Sequence, residues 1–478
     1  MNIKLLSLLF VLSGCHMGPN YSPPINEIPD EWIAPAVVTE ISVSEEPPPP
    51  LWWEIFDDPL LSKYIQMAAQ YNNDVLSAEA NIFQARAVRQ VSAAPLYPKA
   101  FVDLDGFHTF LSRNGPIDAL SAASGSTHLL SEFNIFNNFI DASWELDIFG
   151  KTQRSVEAAQ AQLEGTIEQR NAILISVFAE VARNYIELRN AQEEQKLLEK
   201  NIDLLQRNVQ IIQKRYSTGY SNILDLEQMN IQFDQAVAAL PAVNTAIYRS
   251  IFAISVLIGS LPESLLEELL PVQPPPELPE CLSIGVRSEL LLRRPDIRQA
   301  ERNLAQATAN IGVAVASFYP SITLTGIFGL DSLKITNLFQ PNSKSWIYGA
   351  DITMPIFQGG RLVGNLEISE AQAAAVAFTY QQTVLNALQE ADNALVAYGN
   401  NVKATGELKK IVTTNKTLTD LNKQRYAKGL VAQLDYLNSA LILNNAELSL
   451  LQSETAALLD LISLYKALGG GWECFTVE

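Results

Sequence analysis

Residues 215–225 read RYSTGYSNILD, and residues 425–435 read RYAKGLVAQLD. Both fit R-Y-x-x-G-x-x-x-x-L-D, with starts 210 residues apart (425 minus 215). Upstream, Ala78–Ala85 is AEANIFQA and Ala300–Ala307 is AERNLAQA, 222 apart (300 minus 78), each followed by a Tyr-Pro (Tyr97-Pro98; Tyr319-Pro320). Ordered pairs at a nearly constant offset mean a duplicated unit of about 210 residues, far longer than a solenoid repeat. The offset shrinks between Pro98 and Phe149, so the first copy carries extra residues there. Within the motif, Gly219 and Gly429 suit a chain reversal that needs positive φ. Asp225 and Asp435 stand where helix-starting carboxylates belong.

Working outward from each motif, the preceding segment is strongly helical. Lys151–Gln213 holds no Pro and one Gly, with Leu163, Ile167, Leu174, Val177, Val181 and Leu188 at three- and four-residue spacing. Gly364–Gln424 matches it through Ala373, Ala377, Tyr380, Val384, Leu388, Ala391 and Leu395. Return helices run to about Leu257 and Lys466. An earlier helix from Pro59 is marked by Leu60, Tyr64, Met67, Tyr71, Leu76 and Ile82.

Before each long helix the period changes to two. Ile140, Ala142, Trp144, Leu146 and Ile148 alternate with Asp141, Ser143, Glu145 and Asp147, and Val102, Leu104 and Gly106 with Asp103 and Asp105. In the second copy Ile322, Leu324, Gly326 and Phe328 alternate with Ser321, Thr323 and Thr325, and Ala350, Ile352 and Met354 with Asp351 and Thr353. Each copy thus offers one hairpin of bilayer-crossing length. A half-buried sheet on a soluble domain gives the same alternation. Against that reading, the apolar face carries Trp144, Trp346, Tyr348 and Phe139, as membrane girdles do, and the opposite face is acidic. The first hairpin's connection, Leu111–Asn134, is longer than its counterpart Asp331–Ser345, which accounts for the shrinking offset.

Two hairpins give four strands, which cannot close, and open edges are not tolerated in lipid. The chain is therefore expected to assemble with copies of itself. Two copies give eight strands and a filled barrel; three give twelve and room for water. A head-to-tail ring closes, and the trimer is favoured.

The 478 residues carry 33 Lys+Arg against 52 Asp+Glu, a net charge of −19, which disfavours nucleic acid and anionic-lipid docking. Lys4, the apolar run Leu5–Leu12 and Leu12-Ser13-Gly14-Cys15 read as a secretory signal. The tetrad resembles a lipobox whose cysteine, Cys15, becomes the lipid-modified first residue, and the following His16 is not the Asp that favours inner-membrane retention. From Cys15 to about Leu51 the chain is Pro-rich and reads as a tether. Cys281 and Cys474 read as unrelated single thiols. No further apolar run reaches the length of a membrane helix, so any span is expected to be made of strands.

Only His16, His108 and His128 are present, no Cys/His spacing suits a metal, and no Gly-rich phosphate loop follows a strand. No catalytic residue, metal or cofactor is expected, and the chain does not read as an enzyme. A structural periplasmic coiled-coil protein is the competing reading.

Several segments together resemble a known family. They are Cys15 with Gly18-Pro19-Asn20-Tyr21, the stretch from Trp52-Trp53 to Asp58-Pro59-Leu60, and Ala142 to Gly150 (ASWELDIFG). Further on come Leu292 to Arg298 (LRRPDIR), Phe318 to Ile322 (FYPSI) and Ala467 to Trp472 (ALGGGW). Over essentially the whole mature chain the sequence is similar to TolC-like outer-membrane efflux factors, in the lipoprotein branch of OprM and NodT type. The resemblance implies a chain dominated by α-helix with a membrane β-barrel. In that fold a homotrimeric twelve-stranded β-barrel is continued by a twelve-helix periplasmic α-barrel. It implies an outer-membrane lipoprotein, with palmitate on Cys15, that serves as a passive channel in multidrug efflux. Its implied partners are outer-membrane lipid, a periplasmic adaptor and an inner-membrane transporter; type I protein secretion is the alternative use.

On this reading residues 1–14 are the signal peptide and 15–58 the lipidated tether. The first repeat, 59–259, holds hairpin 99–149, long helix 151–214, tip turn 215–224 and return helix 225–259. A linker, 260–287, precedes the second repeat, 288–468, with hairpin 321–357, long helix 360–424, tip turn 425–434 and return helix 435–468. Residues 469–478 form an equatorial tail. The resemblance assigns adaptor docking to Arg215, Tyr216, Gly219, Leu224 and Asp225, and to Arg425, Tyr426, Gly429, Leu434 and Asp435. Asp420, Lys423 and Arg425 are candidates for a periplasmic gate. Asp103, Asp105, Asp141, Glu145, Asp147 and Asp351 are expected to face the lumen, where carboxylates favour cations.

Overall fold

A computed structural model describes residues 16–25, 28–29, 32, 42–44, 46–112, 132–279 and 281–476. Cys15, the signal segment, His128 and most of the long hairpin connection lie outside these residues. The chain divides into two compact units. One comprises residues up to Pro23, Gln84–Glu164 and Arg302–Phe378; the other comprises Pro24–Phe83, Gly165–Glu301 and Thr379 onward.

The first unit is built on a four-stranded antiparallel sheet in the order β2-β3-β5-β6: β2 (Lys99–Phe110), β3 (Glu132–Leu146), β5 (Ser321–Ser332) and β6 (Lys344–Thr353). The register pairs Val102 with Ile140, Ile140 with Phe328, and Phe328 with Trp346, so the two hairpins meet along β3 and β5. The outer edges of β2 and β6 have no partner within the described residues. β3 begins at Glu132, inside the segment expected as connection, and ends at Leu146, two residues before the alternation appeared to stop.

Asp147 has left the strand. Its carboxylate accepts the amides of Thr152 (3.1 Å) and Gln153 (2.7 Å), satisfying otherwise orphaned donors at the start of α3 (Lys151–Ser217). It therefore does not share a strand face with the other five acids expected to line a lumen. The demand of a long helix for an N-terminal acceptor outcompetes continuation of the strand.

The second unit is helical. The two long helices that enter it, α3 and α6 (Arg361–Ala427), are 67 residues each, about 100 Å at 1.5 Å per residue. Their return helices, α4 (Ile223–Leu257) and α7 (Gln433–Leu468), are 35 and 36 residues. The long helices each run three residues further than the expected ends at 214 and 424, because residues 215–217 and 425–427 stay helical almost to the glycine. α7 lies between α3 and α6. Toward α3, Asn444 donates to the Leu197 carbonyl (3.2 Å), Lys200 pairs with Glu447 (2.7 Å) and Thr455 donates to Asn190 (2.7 Å). Toward α6, Thr419 donates to the Ser439 carbonyl (2.9 Å) and Thr405 contacts Ser453 (2.8 Å).

The core of this unit explains the Trp-Trp to Asp-Pro-Leu stretch. Trp52 and Trp53 are fully buried; Trp52 stacks on Tyr465 at 5.5 Å and Trp53 meets Phe178 edge-on at 5.2 Å. Asp58 then caps α1 (Pro59–Tyr71), accepting from the amides of Leu60 and Leu61, with Pro59 at the first helical position. Helix α2 (Asn73–Ala93) follows, opened by the buried Asn72, which also donates to the Leu257 carbonyl at the end of α4. The Pro-rich linker is held to α3 by two buried side chains. Arg189 donates to the Pro271 carbonyl and Gln192 to that of Leu269.

The described parts of the segment read as a tether are held to the rest of the chain. β1 (Ser42–Ser44) pairs in parallel with β4 (Cys281–Ser283) in the linker, and residues 16–20 are bonded to the first unit. One helix, too, passes for a membrane span by length and composition alone. α4 is long enough, and an 18-residue window of it reaches a mean hydropathy of 1.4. Polar residues such as Asn244 and Arg249 break its uninterrupted apolar runs. Cys281 and Cys474 are free and exposed.

Candidate channel surfaces

Because side chains alternate across a strand, the register sorts the sheet into two faces. One carries Val102, Leu104, Ile140, Ala142, Trp144, Leu324, Phe328, Trp346, Tyr348 and Ile352, an apolar band across all four strands. Trp346 and Tyr348 are stacked at 5.6 Å and stand open, 65 % and 77 % exposed. At one end Trp144 turns its indole N–H onto the Leu96 carbonyl (3.0 Å). At the other end the same face becomes polar, where His108 contacts Glu132 (2.9 Å) and Asn134 (2.8 Å).

The opposite face carries Asp103, Asp105, Asp141, Glu145 and Asp351. Glu145 and Asp351 flank Thr323 from its two sides, and Thr353 donates to Asp351 (2.8 Å). Five of the six acids expected together therefore share one face. Phe139 does not belong to the apolar girdle: it has the parity of Asp141 and lies directly opposite Asp103. Phe101, Phe107 and Ile347 join it there. The alternation is clean only in the half of β3 from Ile140 to Leu146, and residue type alone does not reveal the parity of Phe139.

In the second unit the twin motifs fold alike. At the end of α3 the Tyr220 amide donates to the Arg215 carbonyl (2.8 Å) and the Gly219 amide to the Tyr216 carbonyl (3.0 Å). At the end of α6, Leu430 donates to Arg425 (2.9 Å) and Gly429 to Tyr426 (2.8 Å). This crossed pair of bonds requires a left-handed residue between them, and Gly219 and Gly429 have φ of +79° and +71°. Asp225 closes a capping box with Asn222, and the Asp435 carboxylate accepts the Ala432 amide (3.2 Å). Arg215, Tyr216, Leu224, Arg425 and Tyr426 are exposed around the turns, while Leu434 is half-buried. Tyr426 stacks on Tyr436 at 6.2 Å, a contact the sequence did not suggest.

Asp420, Lys423 and Arg425 are exposed on the last turns of α6. Among the described residues no ion pair joins them within one chain. No group of three or more His, Cys, Asp or Glu side chains is arranged to hold a metal ion among those residues.

Solved structures share this arrangement. The outer-membrane channel OprN superposes with a TM-score of 0.86 at 27 % identity, covering 96 % of this chain and all of that one. The open-state MtrE outer membrane channel of Neisseria gonorrhoeae gives 0.82 at 28 % identity, covering 96 % and 98 %. The solvent efflux pump outer membrane protein SrpC of Pseudomonas putida is 29 % identical over 474 residues, 97 % of each chain. Nodulation protein T of Rhizobium leguminosarum bv. trifolii is 27 % identical, covering 97 % of this chain and 96 % of that one. The fold and its open sheet thus define an outer-membrane channel protein. The chain belongs to the outer membrane efflux protein family, whose model matches residues 64–260 and 286–470. It is the outer-membrane channel component of an efflux pump and acts without enzymatic chemistry.

Proposed function

We propose that three copies of this chain close a twelve-stranded β-barrel continued by twelve helices, lipid-anchored through Cys15, and that this assembly is the passive exit duct of a tripartite pump. The observation that carries the reading is the four-stranded sheet with an apolar face and two open edges, β2 and β6. Lipid cannot satisfy those edge N–H and C=O groups, whereas a neighbouring copy can. The exposed apolar residues of α4, including Val237, Tyr248 and Phe252, fit the same assembly as surface covered by another copy.

In this reading Asp103, Asp105, Asp141, Glu145 and Asp351 face the water path. The turns at Gly219 and Gly429, six per trimer, meet the periplasmic adaptor. Asp420, Lys423 and Arg425 pair across copies to hold the inner end closed. Their exposure, and the absence of an ion pair among them within the described residues of one chain, leave them available for such contacts. Relatives named for solvent, toluene and antibiotic efflux suggest small apolar or amphipathic organic molecules as cargo. Deleting the gene from its own host should sensitise the cells to toluene and to apolar antibiotics, with rescue by the intact chain. Unchanged sensitivity to both would remove the cargo assignment.

A further inference from the structure

The buried Arg154 on the first turn of α3 makes contacts unlike those of an ordinary helix arginine. Its side chain is 3 % exposed. One terminal nitrogen pairs with Glu157 (2.7 Å), one turn along. The remaining donors reach back to the N-terminal segment: Nε to the Met17 carbonyl (3.1 Å), and the other terminal nitrogen to the Gly18 carbonyl (3.4 Å) and the Asn20 side chain (2.7 Å). The Met17 amide in turn donates to the Phe149 carbonyl (3.3 Å). A strap of five residues, His16–Asn20, is thus held by a side chain about 135 positions later.

Two glycines make room for it. Gly18 has φ of +84°, and a Cβ there would lie 2.6 Å from the Gly312 Cα on α5 (Pro295–Ala316). A Cβ on Gly312 would lie 2.8 Å from the Arg154 side chain. Backbone therefore lies on backbone, and the arginine closes over the contact. His16 ends against Gly150, where an added Cβ would be 3.1 Å from its Cα; Gly150 lies four residues beyond the last residue of β3. All of these residues belong to the first unit.

We propose that Arg154 and Gly312 form a receptor for the chain's own N-terminal strap, in which Gly18 is the residue seated, with Arg154 as the positioning residue. This extends the reading of Cys15 as the acylated residue. The strap holds His16 against Gly150, between β3 and α3; if the preceding residue is acylated, its lipid would enter the leaflet beside the barrel wall rather than at the end of a loose leash. An unpaired guanidinium at this depth would be costly, so strap and receptor are expected to order together.

The test is hydrogen–deuterium exchange on the full-length protein extracted from outer membranes, comparing wild type with Gly18→Val and Arg154→Met. Slow exchange at Met17 is expected in wild type, with an acceleration of about tenfold or more in each variant while peptides of β3 and α5 stay unchanged. If Arg154→Met does not assemble, Gly18→Val decides alone, because it alters the strap and leaves the receptor intact. Free-peptide exchange at Met17 in wild type, or unaltered exchange in Gly18→Val, would overturn the seat. The mass of the N-terminal peptide reports acylation separately. Slow exchange without acyl chains would sink the lipid reading, and with it the role of placing an anchor, while leaving the seat standing.

Discussion

The hydroxyl of Tyr185 on α3 donates to the Asp58 carboxylate at 2.6 Å, while the other oxygen of that carboxylate caps α1. One side chain therefore starts a helix and ties it to the buried Trp52–Trp53 core. Arg189 lies over the Tyr185 ring at 4.8 Å and donates to its oxygen, which fixes the phenol from the far side. Asp58→Ala removes both the cap and the acceptor of a buried hydroxyl. A loss of about 2–4 kcal/mol is expected, read as a lower midpoint in denaturant unfolding. Asp58→Asn should recover part of it, because an amide oxygen still caps.

Buried phenols set the alkaline limit. Burial pushes the Tyr398 hydroxyl up to about 12, and burial likewise raises those of Tyr64, Tyr185 and Tyr465. A raised folded-state value means the neutral form is favoured by folding. The stabilisation is fully present below the ordinary phenol value near 10 and is lost as pH rises through the folded-state value. Thermal stability should therefore show no loss from these phenols up to about pH 10 and should fall between about pH 10 and 12. Tyrosinate absorbance should rise in two phases, exposed phenols first and the buried set with unfolding.

The tip turns should separate docking from insertion. Gly429→Val forces a branched side chain into a left-handed conformation, at a cost of about 1–2 kcal/mol, at an exposed turn where nothing else is crowded. The barrel should still insert and trimerise, while adaptor co-purification and efflux fall. The same substitution at Gly219 should act similarly, because its turn has the same bonds. Full adaptor binding in both variants would move the docking surface elsewhere.

Planar-bilayer recordings address the pore itself. Asp420→Ala combined with Arg425→Ala should raise single-channel conductance by removing the proposed pairs across copies at the inner end; unchanged conductance removes these residues from the gate. In the same recordings the five acids of one sheet face predict a reversal potential of cation preference. Asp141→Asn with Asp103→Asn should weaken that preference, and Asp147→Asn should not, because Asp147 caps α3.

Much of this architecture is legible without coordinates because it rests on periodicity. The long Pro-free stretches after Lys151 and Gly364 are helices, and the two-residue period around Ala142 and Thr323 marks strands. Three features were hidden for physical reasons. Asp147 continues the alternation by residue type, but helix capping claims it. Phe139 looks like a girdle aromatic until strand pairing fixes its parity. The segment around Gly18 is too short and Pro-rich to show a period, and its partner Arg154 is far away in sequence, so only tertiary structure reveals the seat.

The central claim is that four strands are a third of a barrel. Native mass spectrometry of the detergent-extracted protein, under conditions that keep its bilayer conductance, tests this most directly. A single species of three chains is expected. A conducting species of one or two chains would contradict it.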